Sequence, residues 1–263
     1  MQNKGYTTIN TRELYYEWIH PEFKDSTKPV IIFLHEGLGS IQQWKNFPKE
    51  LCERLQLVGL VYDRHGYGKS EARPFPWSVD FLEIEARFTL TQLIHSFGID
   101  NHIIFGHSDG ATISLLYAAL QPQNLLCSIV EAPHVILEEI SRSGIANVVK
   151  LAADHRFIKS MSRYHGEKTA DLIKSWTHVW LSEQGIIWEM CQQLSFINTP
   201  VCFLQGENDN FGSKQQLNEI ENRTQGSFRG IIIPDCGHVP HLESKPFVLE
   251  ETIDFISGFL KKE

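Results

Sequence analysis

Short apolar runs alternate with helical patterns along most of the chain, and this alternation restricts the fold more than any other feature of the sequence. Val30–Leu34, Val58–Tyr62 and Val201–Leu204 are rich in β-branched residues and are typical of buried strands. Phe47–Leu55 and Lys214–Asn222 carry apolar residues at helical spacing. Because β and α segments alternate, the sequence predicts a parallel sheet covered by helices on both faces.

The same pattern continues through the rest of the predicted sheet. Strand-like runs also occur at Ile103–Phe105, Ser128–Val130 and Gly230–Ile233, and helical patterns at Phe81–Phe97, Ala111–Leu120 and Phe247–Leu260. Near the N-terminus, Leu14, Tyr16 and Trp18 recur at every second position, which predicts an antiparallel strand at the edge of the parallel part. We therefore expect a mostly parallel eight-stranded sheet.

The alternation stops between about Val135 and Ser195, where no strand-like run occurs. Leu172, Trp176 and Trp180 follow one another at helical spacing and predict one apolar helix face. We interpret 134–195 as a helical cap over the C-terminal edge of the sheet, inserted into a core formed by 1–133 and 196–263.

Composition excludes several classes of protein. The 263-residue chain is 42% hydrophobic and carries 24 Lys and Arg against 32 Asp and Glu residues, a net charge of −8. This content excludes intrinsic disorder, and the acidic balance argues against nucleic-acid and membrane partners. No apolar stretch is long enough to span a membrane, and Met1–Asn10 lacks the apolar segment of a signal peptide. The five cysteines form no CxxC pair, which favours a reducing, cytoplasmic location.

The pentapeptide Gly106–Gly110 (GHSDG) lies between a predicted strand and a predicted helix, as a nucleophile elbow requires. At such a sharp turn, side chains on either side of the serine would collide with the neighbouring strand and helix, and Gly106 and Gly110 avoid this. The Ser108 hydroxyl would then face a cleft at the positive end of the helix. We interpret Ser108 as a nucleophile.

A base and an acid follow Ser108 at the ends of later predicted strands. His238 would take the serine proton, and Asp209 would fix the tautomer of His238. The rivals are His241 for the base, and Glu207 and Asp235 for the acid. The backbone N–H groups of Asp109 and Gly37 are the candidates for the oxyanion hole.

Taken together, several motifs resemble those of the α/β-hydrolases. The matching pieces are His35–Ser40, Asp63–Ser70, Gly106–Gly110, Gly206–Asp209 and the pair Gly237 and His238. The resemblance implies an α/β-hydrolase fold and a serine hydrolase that cleaves esters through an acyl-enzyme, with a small-molecule ester as its partner and no cofactor or metal. The chain departs from the family at Glu36, where most members have glycine. A looser resemblance, to the valacyclovir hydrolase branch, implies activity on α-amino acid esters.

Asp109 raises a question about the substrate. A carboxylate roughly 6 Å from a developing oxyanion would cost about 3 kcal/mol at an effective dielectric of about 20. A substrate ammonium group between them would turn that cost into binding, and Glu36 would add negative charge to the mouth of the site. The alternative is that Asp109 binds protein groups.

Trp176 and Trp180 are candidates for the substrate platform or for the core of the cap.

Three other functions are compatible with the same candidate residues. The same three residues are compatible with a C–C bond hydrolase, with a cofactor-free perhydrolase, or with a slow-turnover ligand receptor of the same fold. His35, His65 and His107 are interpreted as loop-packing or hydrogen-bonding residues rather than as a second base, and Arg64 as a residue that serves loop structure or solvation. The sequence does not predict the natural substrate or the oligomeric state.

Overall fold

The fold is built on one eight-stranded sheet in the computed structural model, which describes residues 3–260. The strands are β1 (Lys4–Ile9), β2 (Arg12–Ile19), β3 (Val30–Leu34), β4 (Val58–Tyr62), β5 (His102–His107), β6 (Leu125–Glu131), β7 (Val201–Gly206) and β8 (Phe228–Ile233). Their order is β1-β2-β4-β3-β5-β6-β7-β8. β1 pairs antiparallel with β2, and β2 pairs antiparallel with β4. All other neighbouring strands in this order are parallel.

Twelve α-helices surround the sheet in residues 3–260. They are α1 (Phe47–Leu55), α2 (Phe81–Ile84), α3 (Thr91–Ser96), α4 (Asp109–Ala118), α5 (Glu139–Ala152), α6 (His155–His165), α7 (Thr169–Leu181), α8 (Glu183–Ile186), α9 (Cys191–Leu194), α10 (Lys214–Arg223), α11 (Pro240–Glu243) and α12 (Lys245–Leu260). This architecture confirms the predicted α/β-hydrolase fold with helices on both faces of a mostly parallel sheet.

Side chains of the parallel strands alternate between two buried layers. Ile32 and Ile104 face one layer, and Ile31 and Ile103 face the other. Successive strand residues point to opposite faces, so a strand in the middle of the sheet can be apolar at consecutive positions. This explains why continuous β-branched runs, rather than alternating ones, predicted these strands.

Two predicted elements differ from the observed ones. The strand predicted from Leu14, Tyr16 and Trp18 is β2, but the edge of the sheet is β1, which is largely exposed and therefore carries no strong apolar signal. The single helix predicted over Phe81–Phe97 is divided into α2 and α3 by a π-helical segment, Glu85–Leu90.

The chain between β6 and β7 is helical and contains α5 to α9, apart from one isolated bridge between Ile136 and Glu189. Leu172, Trp176 and Trp180 are all buried on α7, as their spacing predicts. The boundaries of a separate cap at 134 and 195 stay a prediction. Within residues 3–260, no helix is both long and apolar enough to cross a membrane.

Candidate active site

Ser108 occupies the sharp turn between β5 and α4. Its φ angle of 52° lies in the left-handed region, a strained conformation for a residue with a side chain. A Cβ atom on Gly106 would lie 2.3 Å from the Gly110 carbonyl oxygen, and one on Gly110 would lie 1.9 Å from the Leu34 carbonyl oxygen. Only glycine fits at both positions, and this explains how strand, turn and helix can approach so closely.

The structure brings Ser108, His238 and Asp209 together at the C-terminal ends of β5, β8 and β7. The Ser108 hydroxyl donates to His238 Nε2 at 3.0 Å. On the other side of the ring, His238 Nδ1 donates to Asp209 Oδ1 at 2.8 Å. The imidazole can therefore accept the serine proton while the carboxylate fixes its tautomer.

Asp209 is held as an ionised acceptor. Besides His238, its Oδ1 accepts from the backbone N–H of Phe211 at 2.8 Å, and its Oδ2 accepts from Gln205 Nε2 at 3.2 Å. Burial alone would raise the pKa of Asp209, but the hydrogen bonds from His238 and Phe211 lower it to about 2. The carboxylate is charged throughout the physiological range.

The rival residues lie elsewhere. His241 Nδ1 donates to the buried Glu131 Oε2 at 2.5 Å, in a pair that does not include Ser108. Glu207 and Asp235, in the two loops that carry the acid and the base, are exposed. The geometry thus distinguishes His238 and Asp209 from each of their rivals.

The peptide between Glu36 and Gly37 has a fixed orientation. The Glu36 carbonyl oxygen accepts from Arg64 Nη2 at 2.8 Å, from His35 Nδ1 at 2.9 Å and from the Gly39 N–H at 3.0 Å. Because this peptide is trans, the N–H of Gly37 points away from these three donors. Gly37 lines the same cavity as Ser108, and its role as an oxyanion donor stays a prediction.

Asp109 begins α4, and its backbone N–H is one of the helix donors without an acceptor inside the helix. Its side chain is engaged by the protein: Oδ2 accepts from Trp176 Nε1 at 3.0 Å and lies 3.7 Å from Arg64 Nη2. Burial raises the pKa of Asp109, while Arg64 and Trp176 act in the opposite direction. These are the protein contacts that the sequence left open as the alternative to an ammonium partner.

Arg64 is a residue whose position the sequence did not predict. It is 1% exposed, its guanidinium stacks 4.3 Å from the Tyr67 ring centroid, and it contacts both the Glu36 carbonyl and the Asp109 carboxylate. A buried arginine leaves no periodic signal in a sequence. Arg64 is therefore not solvated: it holds the loop after β3 through the Glu36 carbonyl and lies beside the side-chain carboxylate of Asp109.

We expect Arg64→Met to reduce the free energy of unfolding by about 3 kcal/mol, because it leaves Asp109 buried without its cation. Urea denaturation measures this loss. The control is Arg12→Met, which breaks an exposed pair with Glu71 and should cost about 1 kcal/mol or less. Without Arg64, the neutral form of Asp109 is favoured, so the deficit should grow as pH rises. Equal losses in both variants would contradict this assignment.

A cavity of about 170 Å³ opens beside the Ser108 hydroxyl. Its lining combines the predicted Glu36, Gly37, Ser108, Asp109, Trp176, Trp180 and His238 with His134, Leu38, Leu137, Ser141, Ile145, Val148 and Phe211. Trp176 and Trp180 therefore line the cavity and also belong to the buried core. Most of the wall is apolar, and most of the apolar residues come from the segment between β6 and β7.

The loop that carries His238 is fixed by a further residue that sequence reasoning missed. The Glu243 carboxylate accepts from the backbone N–H groups of Gly237 at 2.6 Å and Val239 at 2.9 Å. One side chain therefore holds the peptides on both sides of His238. The signal in the sequence is only the spacing of a glutamate five residues after the histidine, which is too common to be informative by itself.

The sequence profile of the alpha/beta hydrolase family matches residues 31–251, most of the chain. The chain belongs to the alpha/beta hydrolase family. No curated protein matches this hydrolase in sequence.

Several solved structures share the fold of this hydrolase. An alpha/beta hydrolase enzyme from a Medee basin deep-sea metagenome library is similar with a TM-score of 0.79 at 18% identity, over 96% of this chain and 97% of that one. The enol-lactonase from Burkholderia xenovorans has a TM-score of 0.74 at 16% identity, over 96% and 100%. The proline iminopeptidase from Mycobacterium smegmatis has a TM-score of 0.71 at 16% identity, over 97% and 98%. At these identities the similarity shows the fold alone.

Proposed function

We propose that this hydrolase cleaves carboxylic esters through a covalent acyl-enzyme formed on Ser108. The observation that carries the proposal is the continuous hydrogen-bonded chain from the Ser108 hydroxyl through His238 to Asp209. Three residues far apart in sequence meet with the donors and acceptors that nucleophilic catalysis requires. In this proposal they are the catalytic residues.

The reaction proceeds in two acyl transfers. Ser108 Oγ attacks the ester carbonyl while its proton moves to His238 Nε2, and the leaving alkoxide departs as the alcohol with that proton. Water then loses a proton to His238 as it attacks the acyl group, and the carboxylic acid leaves as Ser108 recovers its hydrogen. Asp209 stays ionised and stabilises the imidazolium in both halves.

The tetrahedral oxyanion would bind to the N–H groups of Gly37 and Asp109. Arg64 holds the Glu36 carbonyl on the reverse side of the first of these peptides and lies beside the side-chain carboxylate of Asp109. Donors fixed before the reaction need no reorganisation as charge develops. The buried guanidinium also offsets the negative charge of Asp109 near the oxyanion.

Substrate selection belongs to the segment 134–195, which we propose as the cap. Leu137, Ile145, Val148, Trp176 and Trp180 from this segment line the cavity. An apolar wall suits an aliphatic or aromatic acyl group, because burial of apolar surface contributes roughly 25 cal/mol per Å². The cap would also limit access of water to the acyl-enzyme.

The contacts of Asp109 set the expectation for amino acid esters. Trp176 and Arg64 already interact with its Oδ2 atom, so a substrate ammonium would gain little from it. We expect kcat/KM for an aminoacyl ester and for its des-amino analogue to agree within about threefold, less than 1 kcal/mol. A preference of more than about 30-fold for the amino ester would restore Asp109 as an ammonium site.

Partitioning of the intermediate tests the proposed mechanism. Two esters with the same acyl group and different leaving alcohols form the same acyl-enzyme, which added methanol intercepts in competition with water. We expect the ratio of methyl ester to free acid to be identical for both substrates. A ratio that depends on the leaving group would exclude a common acyl-enzyme. Tight binding without turnover of any ester would favour a receptor.

A further inference from the structure

His107 ends β5 directly before the nucleophile and is fully buried. Its Nε2 lies 2.8 Å from the backbone carbonyl oxygen of His238. Its Nδ1 lies 3.5 Å from Glu36 Oε2. The two nitrogens of one ring therefore face two loops, the one that carries His238 and the one that carries Gly37.

The atoms around His107 define its protonation. A carbonyl oxygen can only accept, so Nε2 carries a hydrogen. On the opposite edge, Nδ1 faces a carboxylate, and an unprotonated nitrogen would direct its lone pair at a negative charge. Nδ1 makes no hydrogen bond among the described residues, and the charge of the Glu36 carboxylate 3.5 Å away favours the imidazolium over the neutral ring.

We infer that His107 is a positioning residue, held as an imidazolium by Glu36, that ties the oxyanion loop to the loop of the catalytic histidine. The inference rests on the proposed function, since it assigns these two loops to catalysis. His107 holds the carbonyl of His238, while Glu243 holds the N–H groups of Gly237 and Val239. His238 is thereby fixed from both sides of its backbone.

The charged and titratable groups that face His107 are consistent with this role. They are Glu36 from the loop after β3, Glu131 from the end of β6, His238 from the loop after β8 and His241 from α11. Burial disfavours the imidazolium, but Glu36 and Glu131 together raise the pKa of His107 to about 9. Burial would raise the pKa of Glu36, and the histidine lowers it to about 2. Each of the two shifts favours the charged form of its group.

Three variants separate positioning from simple packing. His107→Phe removes the link, and we expect kcat to fall about 30-fold with KM changed less than threefold. His107→Gln keeps a donor toward the His238 carbonyl, so its kcat should fall only about fivefold. The control is His102→Phe, which replaces another buried histidine at the opposite end of β5 and should leave kcat within twofold. Equal effects of His107→Phe and His102→Phe would overturn the inference.

The protonation state gives a readout that does not depend on activity. Nitrogen-15 NMR of histidine-labelled protein, assigned with His107→Gln, should show both ring nitrogens of His107 protonated at pH 7.5. In Glu36→Gln the loss of the anion should move deprotonation of His107 down by at least about one pH unit. A neutral His107 in the native protein would overturn the inference. Binding of added Zn²⁺ by His107 would also overturn it, since ligand atoms of His107, Glu131 and His241 lie within 4.8 Å of one another.

A wrong reaction and a wrong positioning role would give different results. If the native protein forms no acyl-enzyme while His107 is doubly protonated and responds to Glu36→Gln, the proposed reaction is wrong and the imidazolium is retained. If the native protein forms the acyl-enzyme and His107→Phe matches it in kcat, the positioning role is wrong and the reaction is retained.

Discussion

Replacing Ser108 with alanine should lower kcat for ester hydrolysis by about 10⁵- to 10⁶-fold, because the variant lacks the oxygen that forms the acyl-enzyme in the proposed reaction. Alanine keeps the Cβ atom and the backbone of the turn, so the fold should be retained. Steady-state hydrolysis of p-nitrophenyl esters measures the loss, and thermal denaturation confirms folding.

The matched control is Ser114→Ala. Ser114 lies on α4, the helix that follows the nucleophile, and its hydroxyl is buried without a hydrogen-bond partner among the described residues. It does not line the cavity, so its removal should leave kcat within about twofold. Ser108→Ala activity above about one per cent of the native value would mean that another group is the nucleophile.

Asp209→Asn should lower kcat by about 10⁴-fold while it preserves the size of the side chain. The carboxylate accepts the His238 Nδ1 hydrogen at 2.8 Å. An amide can present a donor there, which favours the tautomer whose Nε2 carries a hydrogen and cannot accept the serine proton. An amide also fails to stabilise the imidazolium. Burst and steady-state kinetics with an activated ester measure the effect.

Two neighbouring acids supply controls for this variant. Glu207→Gln and Asp235→Asn make the same change of charge at exposed positions in the loops after β7 and β8. Exposed carboxylates contribute little to catalysis through bulk solvent, so we expect less than about threefold change in kcat. A loss comparable to that of Asp209→Asn in either control would reassign the acid.

The sequence predicted best those elements whose burial determines their pattern of apolar residues. β3 and β4 have the predicted bounds, Val30–Leu34 and Val58–Tyr62, because both faces of each strand are buried and each run is free of charged residues. α1 also matches its predicted range, Phe47–Leu55, with its apolar residues on one face. β1 was missed because an exposed edge strand has little need of apolar residues.

Some residues of the candidate site also have a local sequence signature, and others do not. The glycines around Ser108 and the order of the three catalytic candidates follow from backbone geometry, and such geometry leaves a sequence signature. Arg64 and His107 act through long-range contacts with Asp109, Glu36 and His238. Those contacts join segments that are distant in the chain, so neither residue differs locally from an ordinary loop or strand residue. Only the assembled sheet reveals their partners.

Labelling with a fluorophosphonate tests directly whether Ser108 is an activated nucleophile. Folded native protein should gain one phosphonyl group, located by peptide mass spectrometry on Ser108, and Ser108→Ala should gain none. His238→Ala should be labelled far more slowly, because no base accepts the serine proton. Failure of the folded native protein to react, or attachment of the group to a different residue, would contradict the account.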